Sequence, residues 1–307
     1  MSEIFKYKKN QPIVWFDKRL DRSNQYCLYC GTYVGKGSGV ESNKEHLIAR
    51  EFVPNHCLKS TDFNFIFRCC VSCNTKKSSI ERHLSTTTLF NSDSRIQNIK
   101  INELALNKAS KDYHPNHKGK LVADSSIQQQ IEFVGSGIKL KIGFVAPPQS
   151  NEEYVVELAY RQIQGLFTLV TSSNPLRAET TCLLPFDSFH LLGMYPKNDW
   201  GNRQIEYAIK KTEGWFCCCN ISIADGYFKA ILLKSNQSQE GWFWALEWNK
   251  SVRILGAIIT KESLSSVYEE MLEERWSPWL KDAKGEFRFR AETPLVGKDH
   301  LFRENSE

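Results

Sequence analysis

Four of the chain's ten cysteines form two CxxC pairs, Cys27 with Cys30 and Cys70 with Cys73, with 39 residues between the pairs. That spacing is a metal-site signature. Zinc takes four such ligands tetrahedrally, at about 2.3 Å for sulfur, and four thiolates leave no open position, so the ion would be structural. Cys69 lies beside Cys70, but only Cys70 has the two-residue gap to Cys73, and Cys57 is off the pattern and reads as a small apolar residue. Cys217, Cys218 and Cys219 run through a strand-like segment and read as sheet packing, because alternate members face opposite sides. Around the pairs stand Glu45, His46, Asn64, Asn74, Lys76 and Lys77. An imidazole with a reference pKa of about 6.5 is a suitable general base near neutrality. A carboxylate and an amide oxygen are hard donors suited to one Mg²⁺ that keeps several waters.

Taken in order, Cys27-Leu28-Tyr29-Cys30-Gly31, Glu45-His46-Leu47-Ile48, Asn64-Phe65-Ile66 and Cys70-Val71-Ser72-Cys73-Asn74-Thr75-Lys76-Lys77 resemble the HNH endonuclease family with its zinc-stapled ββα-metal core. The family's usual wording is C-x-x-C-G, D/E-H-I/V, N-L, then C-x-x-C-N-x-x-K, and the resemblance covers residues 20–85. Glu45 stands where Asp is commoner, and Asn74 where the family's name has a His. The resemblance implies a general-base role for His46 and catalytic Mg²⁺ or Mn²⁺ held by Glu45 and Asn74. It implies that Asn64 orients His46 or braces the loop, and that Lys76 and Lys77, in the first turn of a helix, touch phosphates. Cys27, Cys30, Cys70 and Cys73 would hold the structural Zn²⁺. His83, nine residues beyond Asn74, would point elsewhere. Phosphodiester hydrolysis needs an activated water and stabilisation of charge developing on the phosphate, and such a set supplies both.

Charge is uneven. Residues 1–120 hold 20 Lys and Arg against 11 Asp and Glu, a net of +9, while residues 121–307 carry a net of −4. A basic first third suits an anionic partner, nucleic acid being the commonest. With 41% apolar and 24% charged residues, 17 Gly and 10 Pro, the composition excludes disordered and collagen-like chains. No apolar stretch reaches the ~20 residues of a membrane span. The start, MSEIFKYKKNQP, has no apolar signal core, so a cytoplasmic location is expected and the cysteines are expected to stay reduced.

These residues need elements to position them. Phe63–Phe67 reads as a strand, residues 71–84 and 94–111 as helices, and residues 112–124 as a polar linker broken by Pro115 and Gly119. His114 and His117 in that stretch read as a solvated or phosphate-contacting loop, with a metal site the alternative. Beyond it, residues 127–134 and 138–144 alternate as a hairpin, and residues 152–170 present one apolar helical face. Strands are expected at 215–223, 227–233, 242–248 and 252–259, with a tight turn at Asp225-Gly226 and a helix at 263–276. Trp242, Trp244 and Trp248 share one strand face, as core or as a base-stacking platform. The expected architecture is α+β: an HNH nuclease domain at residues 1–111, ββα-metal and treble-clef-like, then an α+β target-recognition or sensor domain at 125–307 with a mainly antiparallel sheet. The expected function is metal-dependent DNA cleavage, in restriction or phage defence. The C-terminal domain would choose the target or bind a partner protein or small molecule. The alternative is a zinc-stapled nucleic-acid-binding protein without catalysis.

Overall fold

The computed structural model describes residues 13–14, 24–114, 118–124, 127–135, 138–146, 150–171, 183–197, 202–236, 241–271, 277–282, 285–289 and 299–303. The chain is mixed α/β with antiparallel sheets. Strands β1 (Ile13–Val14), β2 (Ser42–His46) and β3 (Phe65–Cys70) form a small sheet in the order β1-β3-β2, with β2 and β3 antiparallel. Helix α1 (Val71–Phe90) follows β3 directly. It is longer than the expected helix, because its second half is buried and the hydroxyls of Thr86, Thr87 and Thr88 bond back to carbonyls one turn earlier. The expected helix at 94–111 is broken into α2 (Ser94–Gln97) and α3 (Ile99–Ala109). Asn98 is extended, and its side chain caps α3 by accepting from the amides of Lys100 and Ile101.

The hairpin β4 (Ile127–Gly135) and β5 (Ile138–Ala146) leads to α4 (Glu152–Thr171). Then come β6 (Phe189–Pro196), α5 (Arg203–Lys211), β7 (Phe216–Ile223), β8 (Phe228–Lys234), β9 (Trp242–Trp248) and β10 (Val252–Ile258). The strands make an antiparallel sheet in the order β6-β10-β9-β8-β7. The β7–β8 turn places Ala224, Asp225 and Gly226 at positive φ, as the Asp-Gly pair predicts. Helix α6 (Lys261–Glu270) ends at an extended Met271, and the rest of the helix expected to 276 lies outside the described residues. A last hairpin joins β11 (Ser277–Asp282) to β12 (Gly285–Phe289). Among the described residues no helix is long and apolar enough to cross a membrane.

One apolar cluster runs from Ile13 to Ile258 and crosses the expected domain boundary. Helix α4 is its centre, burying Val155, Leu158, Ala159, Ile163, Leu166, Leu169 and Val170. On one side Gly165 meets Leu47, where an added Cβ would lie 2.4 Å from the Leu47 side chain. On the other, Gln162 Oε1 accepts from the Trp248 indole at 3.0 Å. Phe52 packs edge-on against Trp248, and the Asn249 amide donates to the Phe52 carbonyl at 3.1 Å. The described parts of residues 112–124 are likewise pinned: Asp112 and His114 are buried, and the Val122 amide donates to the Asp112 carbonyl. The halves therefore share a core rather than hang from a linker. Trp244 and Trp248 have no exposed surface, so this face of β9 is core and not a stacking platform.

Candidate functional site

The cysteine tetrad is built by two local structures. The first is a turn closed by the Gly31 amide on the Cys27 carbonyl and the Cys27 amide on the Thr32 carbonyl, with Gly31 at φ +71°. The second is the start of α1, where Cys70 occupies the N-cap and Cys73 the first turn. The sulfurs of Cys27, Cys30, Cys70 and Cys73 all lie within 4.8 Å of one another, with Cys30 and Cys70 3.8 Å apart. A tetrahedron with Zn–S bonds of about 2.3 Å has edges of about 3.8 Å. The donor set fits a Cys₄ zinc ion.

A fifth sulfur touches this group. Cys69 Sγ lies 3.4 Å from Cys27 Sγ and 3.4 Å from the Cys70 carbonyl, fully buried. Cys27 is held far below the usual thiol range, chiefly by its hydrogen bond with Cys69, while that bond pushes Cys69 up. Cys69 thus keeps its proton and supports the Cys27 thiolate from outside the tetrad. Arg161 of α4 reaches the same knot, donating to the Cys73 carbonyl at 3.3 Å and lying 5.0 Å over the Tyr29 ring. Of the remaining cysteines, Cys218 and Cys219 are buried and a bulge separates Cys217 from Cys219, which agrees with sheet packing. Cys57 packs against the main core.

His46 ends β2, opposite Ile66. Its Nε2 is buried and has no hydrogen-bond partner among the described residues. Burial, then the cations Lys44, Arg50 and Lys77, lower its pKa to about 4, so the ring is neutral at pH 7 with an uncommitted nitrogen. Lys44 and Arg50 are exposed. A phosphate brought against them would offset their charge and raise the imidazole's basicity. Asn64 is half-buried and lines a groove of about 650 Å³ together with Arg50, Lys59, Ser60 and Phe63. Its carbonyl accepts from the Ile13 amide at 3.1 Å, which braces the sheet, and no hydrogen bond joins it to His46 among the described residues.

Glu45, Asn74 and Lys77 depart from the expected roles. Glu45 is buried, its Oε1 2.6 Å from Lys77 Nζ and accepting from the Tyr29 hydroxyl at 3.2 Å. Asn74 instead donates to Asn43 Oδ1 at 2.6 Å and to the Lys44 carbonyl at 3.5 Å. An ammonium already lies on the carboxylate, and Asn74 is tied through its side-chain nitrogen to Asn43 and Lys44. As arranged Glu45 and Asn74 do not fit a divalent ion. Lys77 has no exposed surface and pairs also with Glu81 at 2.7 Å, so it offers nothing to a phosphate. Lys76 is exposed and pairs with Glu157 at 3.1 Å.

The sequence reading missed Glu81, although a Lys and a Glu four residues apart on a helix is a legible pair. It also missed Arg161 and Tyr29, which only the tertiary fold brings in. His83 and His114 are buried with rings 5.8 Å apart, and Asp112 lies 3.5 Å from His83 Nδ1. The tetrad is the one cluster of metal-ligating side chains among the described residues, so His114 joins no metal group, and His117 lies outside them. Against protein-family models, curated proteins and solved structures the chain finds no match.

Proposed function

We propose that this chain is a zinc-stapled nuclease of the HNH type, hydrolysing DNA phosphodiesters with His46 as general base. The observation that carries the reading is the buried, unpartnered Nε2 of a neutral His46 on a β-β-α unit joined to a four-cysteine knot. A base must hold a free lone pair and stand beside cations that can receive a phosphate, and Lys44 and Arg50 supply that setting. Such an enzyme suits restriction or phage defence in the cytoplasm, with the five-stranded half recognising the target, a partner protein or a small ligand. The resemblance asks for Mg²⁺ or Mn²⁺ on Glu45 and Asn74; since these residues do not fit the ion, no step is drawn through it.

A second reading, a zinc-stapled nucleic-acid-binding protein without cleavage, is favoured by the Lys77 ammonium on Glu45. Plasmid nicking by the full chain separates the two. Wild type should nick supercoiled DNA, and His46→Ala should lose about 100- to 10,000-fold in rate while keeping its zinc and its affinity for DNA. Binding without nicking by wild type selects the second reading.

A further inference from the structure

Three oxygens converge on the Lys77 ammonium: Glu45 Oε1 at 2.6 Å, Glu81 Oε1 at 2.7 Å and the His46 carbonyl at 3.1 Å. Both carboxylates are buried, and Lys77 completely. Two carboxylates and a peptide carbonyl around one positive charge form the donor set of a hard-cation site, opened to hydrogen-bond length. We propose that Lys77 is the resident cation of this site. Its ammonium takes the place at Glu45 that the HNH resemblance gives to a divalent ion, and Glu45 positions His46 instead of ligating metal. The proposal rests on the reading of His46 as the base.

The geometry supports it from both ends. Lys77 Nζ binds the side chain of Glu45 and the backbone of His46, adjacent residues of β2, so one amine fixes the peptide that aims the imidazole. Tyr29 adds a second clamp, its hydroxyl donating to the same Glu45 oxygen. A divalent ion on that oxygen would stand against a buried ammonium and be repelled. Asn74, the other donor the resemblance calls for, is held by Asn43.

The test uses zinc-loaded full-length protein and Mn²⁺, whose free signal in electron paramagnetic resonance reports uptake. Wild type and Glu45→Gln should take up the same amount. Lys77→Ala, which vacates the three oxygens, should gain one equivalent that Glu45→Gln in the same chain removes. Stoichiometric uptake by wild type that Glu45→Gln abolishes would overturn the proposal, and so would a folded Lys77→Ala that gains nothing. If Lys77→Ala does not fold, the comparison of wild type with Glu45→Gln still decides. In nicking assays Glu45→Gln should lower the rate at least tenfold with the half-saturating Mg²⁺ unchanged and no rescue by excess. A tenfold rise in that half-saturation would count against Lys77 as the cation. Absence of nicking by wild type defeats the nuclease reading alone, since Mn²⁺ uptake is read without activity.

Discussion

Each half of the molecule buries a cation between two carboxylates. In the first, Lys77 lies between Glu45 and Glu81 where β2 meets α1. In the second, Arg253 of β10 lies 2.8 Å from Glu247 and 2.6 Å from Asp299. The surroundings differ. Lys197 approaches Glu247 at 3.8 Å and Lys229 approaches Asp299 at 3.6 Å, so in the sheet the cations outnumber the anions. The guanidinium also presents several planar donors at once and lies 5.4 Å from the Phe302 ring, tying residues 299–303 to the sheet. At Lys77 the anions outnumber the cation, and burial pushes Glu81 up to about 7. One cluster is a closed fastening. The other holds a carboxyl that its single cation does not keep ionised below about pH 7, touches the His46 carbonyl, and can exchange a proton near neutrality. Local charge counts, more than burial, distinguish a clamp from a site.

Zinc removal should have the largest effect on this contrast. Cys70→Ser should abolish zinc binding and cost several kcal/mol, because metal binding there is folding energy. Hydrogen exchange should quicken first in β2, β3 and α1, around Lys77, and later around Arg253; metal analysis and exchange mass spectrometry check this. Next, Lys77→Met and Arg253→Met should each cost about 3–5 kcal/mol in urea unfolding, since each strands buried carboxylates. The Lys77→Met loss should be smaller at pH 6 than at pH 8, because Glu81 can take a proton; equal losses at both pH values would remove the asymmetry.

The pH dependence of wild-type stability should be flatter than that of either variant below. Glu81 keeps its proton in the folded state to about pH 7 but ionises near 4.5 when unfolded, so its contribution falls as pH rises between those values. His46 takes up a proton near 6.5 when unfolded but only near 4 when folded, so its contribution falls as pH drops through that window. The two oppose. Glu81→Gln should expose the histidine slope and His46→Ala the carboxylate slope in denaturant titrations across pH 4–7. Smallest, Lys76→Ala should change stability by less than about 1 kcal/mol, as a surface pair. If Lys76 touches DNA, its loss should lower the salt slope of binding by about 0.9.

The tetrad was legible because chelating turns are local: two residues of spacing dictate where two sulfurs point. What sequence could not show was charge burial. Lys77 looked like a phosphate contact because the first turn of a helix is usually exposed; it is buried here because Glu45 comes across from β2 and α4 covers α1. The polar residues 112–124 read as a boundary because Pro and Gly interrupt them, yet Asp112 and His114 are buried against Arg82 and His83 of α1. Short elements escaped for a related reason. The nine residues of α5 are held by the Asn202 cap and by packing of Ile205 and Ala208, and so brief a stretch carries little period of its own.

The α4-centred core also sets an order of events during synthesis. The ribosome releases β2, β3 and α1 first, yet Leu47 awaits Gly165, and Phe52 awaits Trp248 and Asn249. At ~5–20 residues per second, the interval between completion of α1 at Phe90 and of β10 at Ile258 lasts on the order of ten to thirty seconds. Throughout it the nascent histidine unit has an incomplete core, and zinc, captured by two turns that need nothing downstream, is what can hold it together. A chain assembled this way would stay loosely ordered around His46 until α4 and the five-stranded sheet had emerged, a delay that separates completion of the zinc knot from completion of the core.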